Sequence, residues 1–361
     1  MAGNSDLNSA KSAKKDEFYT QLTDIEKELR HYRQHFQGKT VLCNCDDPFE
    51  SNFFKYFVLN FNRLGLKKVI ATCYTGSPIA NRQLSLFDIL SDKEENKEKP
   101  YKAVVTTVYD KTGDGSIDML DVAELFKSGE NTLTELEGDG DFRSPECLKL
   151  MDEADIVVTN PPFSLFREYV ATLMKHRKKF LIIGNINAIS YKEIFPLLMK
   201  NEVWLGNGMG RWISGFIVPD TYGLYGTEAR INSKGERIVA TNNCLWLTNL
   251  DFKKRHEELI LVKRYNPEDY PKYDNYDAIE VPKTADIPCD YAGVMGVPIT
   301  FLDKHNPDQF EILGATESEG KGFSNGLWNE NSETAQATIR GKRIYKRIFI
   351  RNKHPEAGKD S

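Results

Sequence analysis

The sequence has no run approaching the ~18 consecutive apolar residues that a membrane-spanning helix requires. Its start, MAGNSDLNSAKSAKK, is polar where a secretory leader carries an apolar stretch, so the expected location is the cytoplasm. No CxxC pair occurs among the six cysteines, and no HExxH motif among the six histidines. Structural zinc and a disulfide framework are therefore not indicated, and no metal is expected. Internal repeats are missing too, which excludes solenoid architectures. Nor is there an excess of positive charge: 48 Lys and Arg against 53 Asp and Glu leave −5, so a polyanion has to be met by a local patch.

What is present suits an enzyme. At roughly 150 residues per domain, 361 residues give two domains and a sizeable core. The first 16 residues, rich in Ser and Lys, read as a flexible arm. Tyr19, Leu22, Ile25, Leu29, Tyr32 and Phe36 recur every three or four positions, which predicts one helix over 17–36, stopped by Gly38. A strand at 40–44, a Phe-rich helix at 51–64 ended by Gly65, and a strand at 67–74 make a β-α-β unit with parallel strands. Residues 75–136 have no clean period apart from a strand at 101–109, and read as an insertion. Regularity returns with helices at 145–154, 164–176 and 191–200, and with strands at 155–159, 179–184, 203–206, 212–218 and 244–248. This alternation predicts a doubly wound, mainly parallel α/β sheet with ligands at the carboxyl ends of its strands.

The tetrapeptide Asn160-Pro161-Pro162-Phe163 follows the apolar strand IVVT and precedes a helix, which places it at such a carboxyl end. Asn160 and Pro161 each precede a proline and are pushed out of the α region, so the turn is stiff and extended. Neither proline has an N–H, which leaves the Asn160 amide and the Pro161 carbonyl to point at a ligand. Two neutral acceptors beside an aromatic ring suit a planar amino group. Its hydrogens go to the Asn160 side-chain oxygen and the Pro161 carbonyl, while Phe163 stacks on the ring that bears it. Accepting both hydrogens draws the nitrogen towards tetrahedral geometry and frees its lone pair. The competing reading is an ordinary Pro-rich turn, although strand-to-helix turns usually take Gly, Asp or Ser.

The segment DIVVTNPPFSLFREY resembles motif IV of S-adenosylmethionine-dependent amino-methyltransferases. With KKDEFYTQ, VLCNCDDP, SNFFKYF, GDGDFRS, KKFLIIGN, SGFIVP, YGTEARI, NNCLWLTNL, KYDNYDAI and GVMGVPITFL in the same order, the chain resembles the EcoRI-type adenine-specific DNA methyltransferases. The resemblance leaves out 75–136 and the stretch after Gly314. It implies a class I, Rossmann-like catalytic domain over 17–262 and a DNA target-recognition region over 263–361. It also implies S-adenosylmethionine as cofactor, double-stranded DNA as partner, a monomer, and GAATTC as target.

In the family, a segment such as Gly138–Phe142 holds the cofactor adenine, which implies Asp141 accepting from its amino group and Phe142 packing on its face. A helix-capping turn is the alternative there. The turn Asn44-Cys45-Asp46-Asp47-Pro48 stands where many methyltransferases have a Gly-rich loop under the methionine part; here Asn44, Asp46 and Asp47 are the candidates, against simple capping. Phe18, Tyr19 and Thr20 match the motif that closes over the methionine end, with Asn160 also beside the cofactor. A duplex adenine must leave the stack to be reached, at a few kcal/mol, so backbone contacts are needed. The acid-free stretch 339–353 supplies Arg340, Lys342, Arg343, Lys346 and Arg347 as a phosphate clamp, with Arg211 as a further DNA contact and edge-strand protection as the alternative. Residues 110–121 follow a calcium-loop pattern, but a strand precedes them and Asp121 stands at the twelfth place, which favours a hairpin tip. Two rival functions remain: methylation of RNA or protein glutamine, and a DNA-binding homologue without catalysis.

Overall fold

The computed structural model describes residues 19–45, 48, 51–73, 100–209, 214–218, 229–232, 235–239, 243–316, 323–324, 326–329, 332 and 334–357. They form two compact units, one of residues up to Ile186 with Gly206–Leu250, the other of Asn187–Leu205 with the chain from Asp251. The strands as far as Leu250 are β1 (Tyr19–Thr20), β2 (Thr40–Cys43), β3 (Lys68–Thr72), β4 (Tyr101–Val105), β5 (Thr132–Glu135), β6 (Ile156–Thr159), β7 (Lys179–Asn185), β8 (Trp204–Met209), β9 (Phe216–Val218), β10 (Ala229–Ile231), β11 (Arg237–Val239) and β12 (Cys244–Thr248). The helices are α1 (Leu22–Leu29), α2 (Asn52–Leu59), α3 (Phe61–Leu64), α4 (Met119–Lys127), α5 (Pro145–Glu153), α6 (Phe166–Lys175) and α7 (Phe195–Met199).

An eight-stranded mixed sheet of order β5-β4-β3-β2-β6-β7-β12-β8 dominates the first unit, which makes it an α/β protein. β3, β2, β6 and β7 run parallel, and β4, β5 and β12 join antiparallel. The apolar runs TVLC, IVVT and CLWLT are buried along their whole length, as interior strands covered on both faces must be. β2 and β3 are parallel as the sequence predicts, but the helix expected over 51–64 is two, α2 and α3, meeting at Asn60. α6 buries Phe166, Tyr169, Val170 and Leu173, one side of the helix, and joins the parallel strands β6 and β7. A smaller antiparallel sheet, β1-β9-β11-β10, carries Tyr19 and Thr20.

Three expectations need correction here. The single helix over 17–36 is instead β1, α1 and a 3₁₀ turn at Arg33–His35. Ile25, Leu29, Tyr32 and Phe36 are all fully buried, so the stripe is real. Tyr19 and Thr20, however, pair with Ile217 and Phe216, and this long-range ladder outweighs the local period. Residues 101–135 are no insertion, because β4 and β5 extend the main sheet at its edge. Nor is 110–121 a hairpin tip: it leads into α4, and its carboxylates hold their own loop. Asp110 accepts from the Gly113 and Gly115 amides, and Asp121 from those of Lys111, Thr112 and Asp118. These bonds hold the Asp121 carboxyl below its usual range.

The second unit holds the sheet β13-β14-β18-β15, of β13 (Ile279–Glu280), β14 (Met295–Pro298), β15 (Phe310–Ala315) and β18 (Arg347–Asn352). β16 (Thr338–Ile339) and β17 (Lys342–Arg343) form a separate hairpin. Tyr273, Tyr276, Ala278, Ala337 and Phe349 cluster as an aromatic core. The division falls after Leu250 rather than at 262, because β12 stops pairing with β7 there and the next residues bind within the second unit. Lys254 pairs with Asp303 at 2.9 Å, and the Arg255 guanidinium lies 3.7 Å from the Trp204 ring centre. That stacking also draws 187–205 into this unit.

Candidate active site

The carboxyl ends of β2 and β6 lie side by side, which brings the segment after Cys43 to the one after Thr159. The Thr159 hydroxyl donates to the Asn44 carbonyl, and the Tyr169 hydroxyl donates to Asn44 Oδ1. Tyr169 stands on the helix that the NPPF turn starts, so one side chain ties that helix to the loop after β2. Burial pushes its phenol far above the usual range and keeps it a donor. Its ring meets Phe142 edge-on at 4.9 Å.

Asn160 and Pro161 are buried at the end of β6, while Phe163 is half-buried in a 3₁₀ turn that precedes α6. The Phe163 ring lies 6.4 Å from that of Phe216 on β9, whose register partner is Thr20. The Asn52 side chain, at the start of α2, donates to the Thr20 carbonyl. Sequence-distant candidates Thr20, Asn44, Phe142, Asn160, Pro161 and Phe163 are thus joined through Tyr169, Phe216 and Asn52. Phe18, Asp46, Asp47 and Arg211 lie outside the described residues.

Within this cluster Thr20 Oγ1 and Asn44 Nδ2 are buried without a hydrogen bond among the described residues. Burying a polar group unpaired costs ~1–3 kcal/mol, and such groups mark places where a ligand completes the bonding. The loop beside them has no glycine, yet Cys45 adopts φ 83°, the left-handed region that glycine favours. Strain of this kind collects at binding sites.

The Asp141 carboxylate accepts from the Arg143 amide at 2.8 Å and from its guanidinium at 2.9 and 2.5 Å. The Arg143 guanidinium holds this carboxyl below the usual range and also lies over the Phe142 ring. Arg143 reaches Glu168 on α6 as well, at 3.2 Å, and so ties the Gly138–Phe142 turn to the helix after NPPF.

Sequence reasoning missed Arg143, Tyr169 and two acids on α1. Asp24 accepts from the Ser214 amide and hydroxyl, and Glu28 from the Asn207 and Gly208 amides. They hold the chain on either side of 210–213. The signal was available: acids one turn apart fall on the buried stripe of an amphipathic helix, where charge needs a partner.

The tail is only partly a free cationic surface. Arg347, expected on phosphate, is half-buried and forms an ion pair with the buried Glu280 at 2.6 Å. Arg351 faces Glu311 at 3.8 Å, and Lys353 donates to the Pro307 carbonyl. Arg340, Lys342 and Arg343 are exposed on the β16–β17 hairpin. Its two-residue turn, Arg340-Gly341, has φ 51° and 72°, the pattern of a type I′ turn, and the Asp274 carboxylate accepts from both amides.

A chain with an α/β sheet and an NPPF turn at a strand's carboxyl end has the make-up of an amino-methyltransferase. The family described as "Adenine-specific methyltransferase EcoRI" matches residues 6–353. Over 354 residues the chain is 51% identical to Type II methyltransferase M.EcoRI of Escherichia coli, covering 98% of each chain. It is 34% identical to M.MpnI of Mycoplasma pneumoniae and to M.MgeORF184P of Mycoplasma genitalium, over 96% of this chain and 98% of each relative. No solved structure matches. The chain belongs to the EcoRI adenine-specific methyltransferase family and is a site-specific DNA methyltransferase acting on adenine.

Proposed function

We propose that this chain uses S-adenosylmethionine to methylate the N6 of an adenine flipped out of duplex DNA, within GAATTC, as the modification enzyme of a restriction-modification pair. The observation that carries this reading is the convergence of the NPPF turn with the buried Thr20 hydroxyl and Asn44 amide. Thr20 and Tyr19 hold the carboxylate end of the cofactor, Asn44 its methionine part, and the 138–142 turn its adenine. When bound, the cofactor supplies an activated methyl group. Asn160 Oδ1 and the Pro161 carbonyl accept the two N6 hydrogens, and Phe163 stacks on the purine. Base–aromatic stacking contributes ~1–3 kcal/mol, which offsets part of the flipping cost. The catalytic unit is of the class I, Rossmann-like, doubly wound kind. The carboxyl-terminal unit recognises DNA, and the enzyme works as a cytoplasmic monomer.

Incubation with tritiated cofactor and defined duplexes, followed by nucleoside analysis, tests this. Label appears in N6-methyladenine and depends on the target sequence; label in a methylcytosine or in protein would overturn the reading.

Thr20→Val separates the cofactor role from a structural one. Removing a buried unpaired hydroxyl leaves the thermal midpoint of the ligand-free protein unchanged or higher. The cofactor Kd, read by calorimetry, rises about fivefold to tenfold, the worth of one ordinary hydrogen bond.

The basic hairpin is assigned to the DNA backbone. Replacing Arg340, Lys342 and Arg343 by Gln weakens binding to all sequences alike. The slope of log Kd against log salt falls by roughly 0.9 for each phosphate that the hairpin no longer neutralises. An unchanged slope places the backbone-binding surface elsewhere.

A further inference from the structure

α1 and α2 pack side by side, and each presents a line of polar residues at helical spacing. Glu26, Arg30 and Arg33 follow one another along α1 and the turn beyond it; Tyr56, Asn60 and Arg63 do the same along α2 and α3. The two lines and Lys27 enclose a hollow of about 280 Å³. Tyr56 is buried, and Arg33 is within hydrogen-bonding reach of its hydroxyl. Arg30 donates to His31, Lys27 pairs with Asp24, and Arg63 makes no ion pair among the described residues.

Four cations thus surround one hollow whose single acid, Glu26, pairs with none of them, in a chain where acids outnumber bases. Crowding like charges is unfavourable unless an anion joins them, and guanidinium groups match phosphate oxygens in a bidentate fork. The volume lies just under the roughly 300 Å³ at which small-molecule pockets begin, which leaves ample room for a phosphate group. Arg63, on α3, stands eleven residues beyond the start of α2, roughly 16 Å at the helical rise from the end that meets Thr20, so the Arg63 end of the hollow is set apart from the methyl-transfer site.

We propose that the hollow between α1 and α2 is a phosphate-binding site, taking either a free phosphate ester or a backbone phosphate of DNA beyond the target. It stands apart from the methyl-transfer reading and survives if that reading fails. Pyrophosphate is titrated into the full chain and thermal unfolding followed, against sodium chloride at matched ionic strength. The midpoint rises saturably, and the concentration for half the effect grows at least tenfold in the doubly substituted Arg33→Gln, Arg63→Gln chain. Glu26→Gln, which removes the one acid, lowers that concentration. A rise no greater than that in the salt control, or equal responses from wild type and variants, would overturn the proposal. The source of the phosphate follows from duplex affinity. A loss in the double variant for long duplexes alone assigns DNA backbone, and equal affinities at every length assign a free ester.

Discussion

Asn160→Ala slows methyl transfer by ~10²–10³ and leaves the protein folded. The side chain is 7% exposed at the end of β6, a position whose backbone is set by the two prolines that follow, so loss of the amide does not release the turn. An acceptor placed on the amino hydrogens acts most strongly as the nitrogen turns tetrahedral, which is a transition-state contact. Removing one pre-organised polar partner of this kind costs ~10²–10³ in kcat. Single-turnover methylation of a target duplex reports that loss, while the cofactor Kd and the thermal midpoint move little. Asn160→Asp keeps an acceptor oxygen and is expected to retain more of the rate than the alanine variant. Full activity in Asn160→Ala would remove the side chain from the chemistry.

The catalytic tetrapeptide was legible because its residue types are unusual for a turn and its flanks are unambiguous: IVVT is fully buried, and the following helix has a clear apolar face. The sheet interior was legible for the same reason. β12 was placed at its observed bounds because every one of its residues is apolar or small enough to be covered on both sides. What failed was decided by partners far away in sequence. Tyr19 and Thr20 fit a helical stripe, and only the ladder to Ile217 and Phe216 makes them a strand. β4 alternates between buried and half-buried and β5 is almost wholly exposed, so an edge of the sheet looked like an insertion. Composition gave no sign that Asp141 would be held by Arg143 two residues on, since that pairing depends on the shape of the turn. The tail misled in the opposite direction, because a run of cations with no acid inside it still finds acids elsewhere.

Arg347 carries the clearest case of that last point and the largest expected effect on stability. Its guanidinium donates to Glu280 through Nε and Nη2, and Glu280 in turn accepts from the buried Tyr273 hydroxyl. Burial first, and then Glu280, pushes the Tyr273 phenol far above its usual range, so it remains a donor to that carboxylate. Arg347→Ala leaves Glu280, only 5% exposed, facing one phenol and no counter-charge. Breaking a buried pair from one side costs ~3–5 kcal/mol, far more than an exposed phosphate-binding arginine would contribute to folding. The expected result is an unfolding transition of the carboxyl-terminal unit at clearly lower temperature or denaturant concentration. Glu280→Gln combined with Arg347→Met, which leaves neither group buried as a charge, recovers a large part of the loss. Measured well below that transition, the salt dependence of DNA binding is the same for Arg347→Ala as for wild type, whereas the hairpin substitutions reduce it. A variant of Arg347 that folds normally but binds DNA with a shallower salt slope would return this residue to the phosphate contacts and make the ion pair with Glu280 incidental.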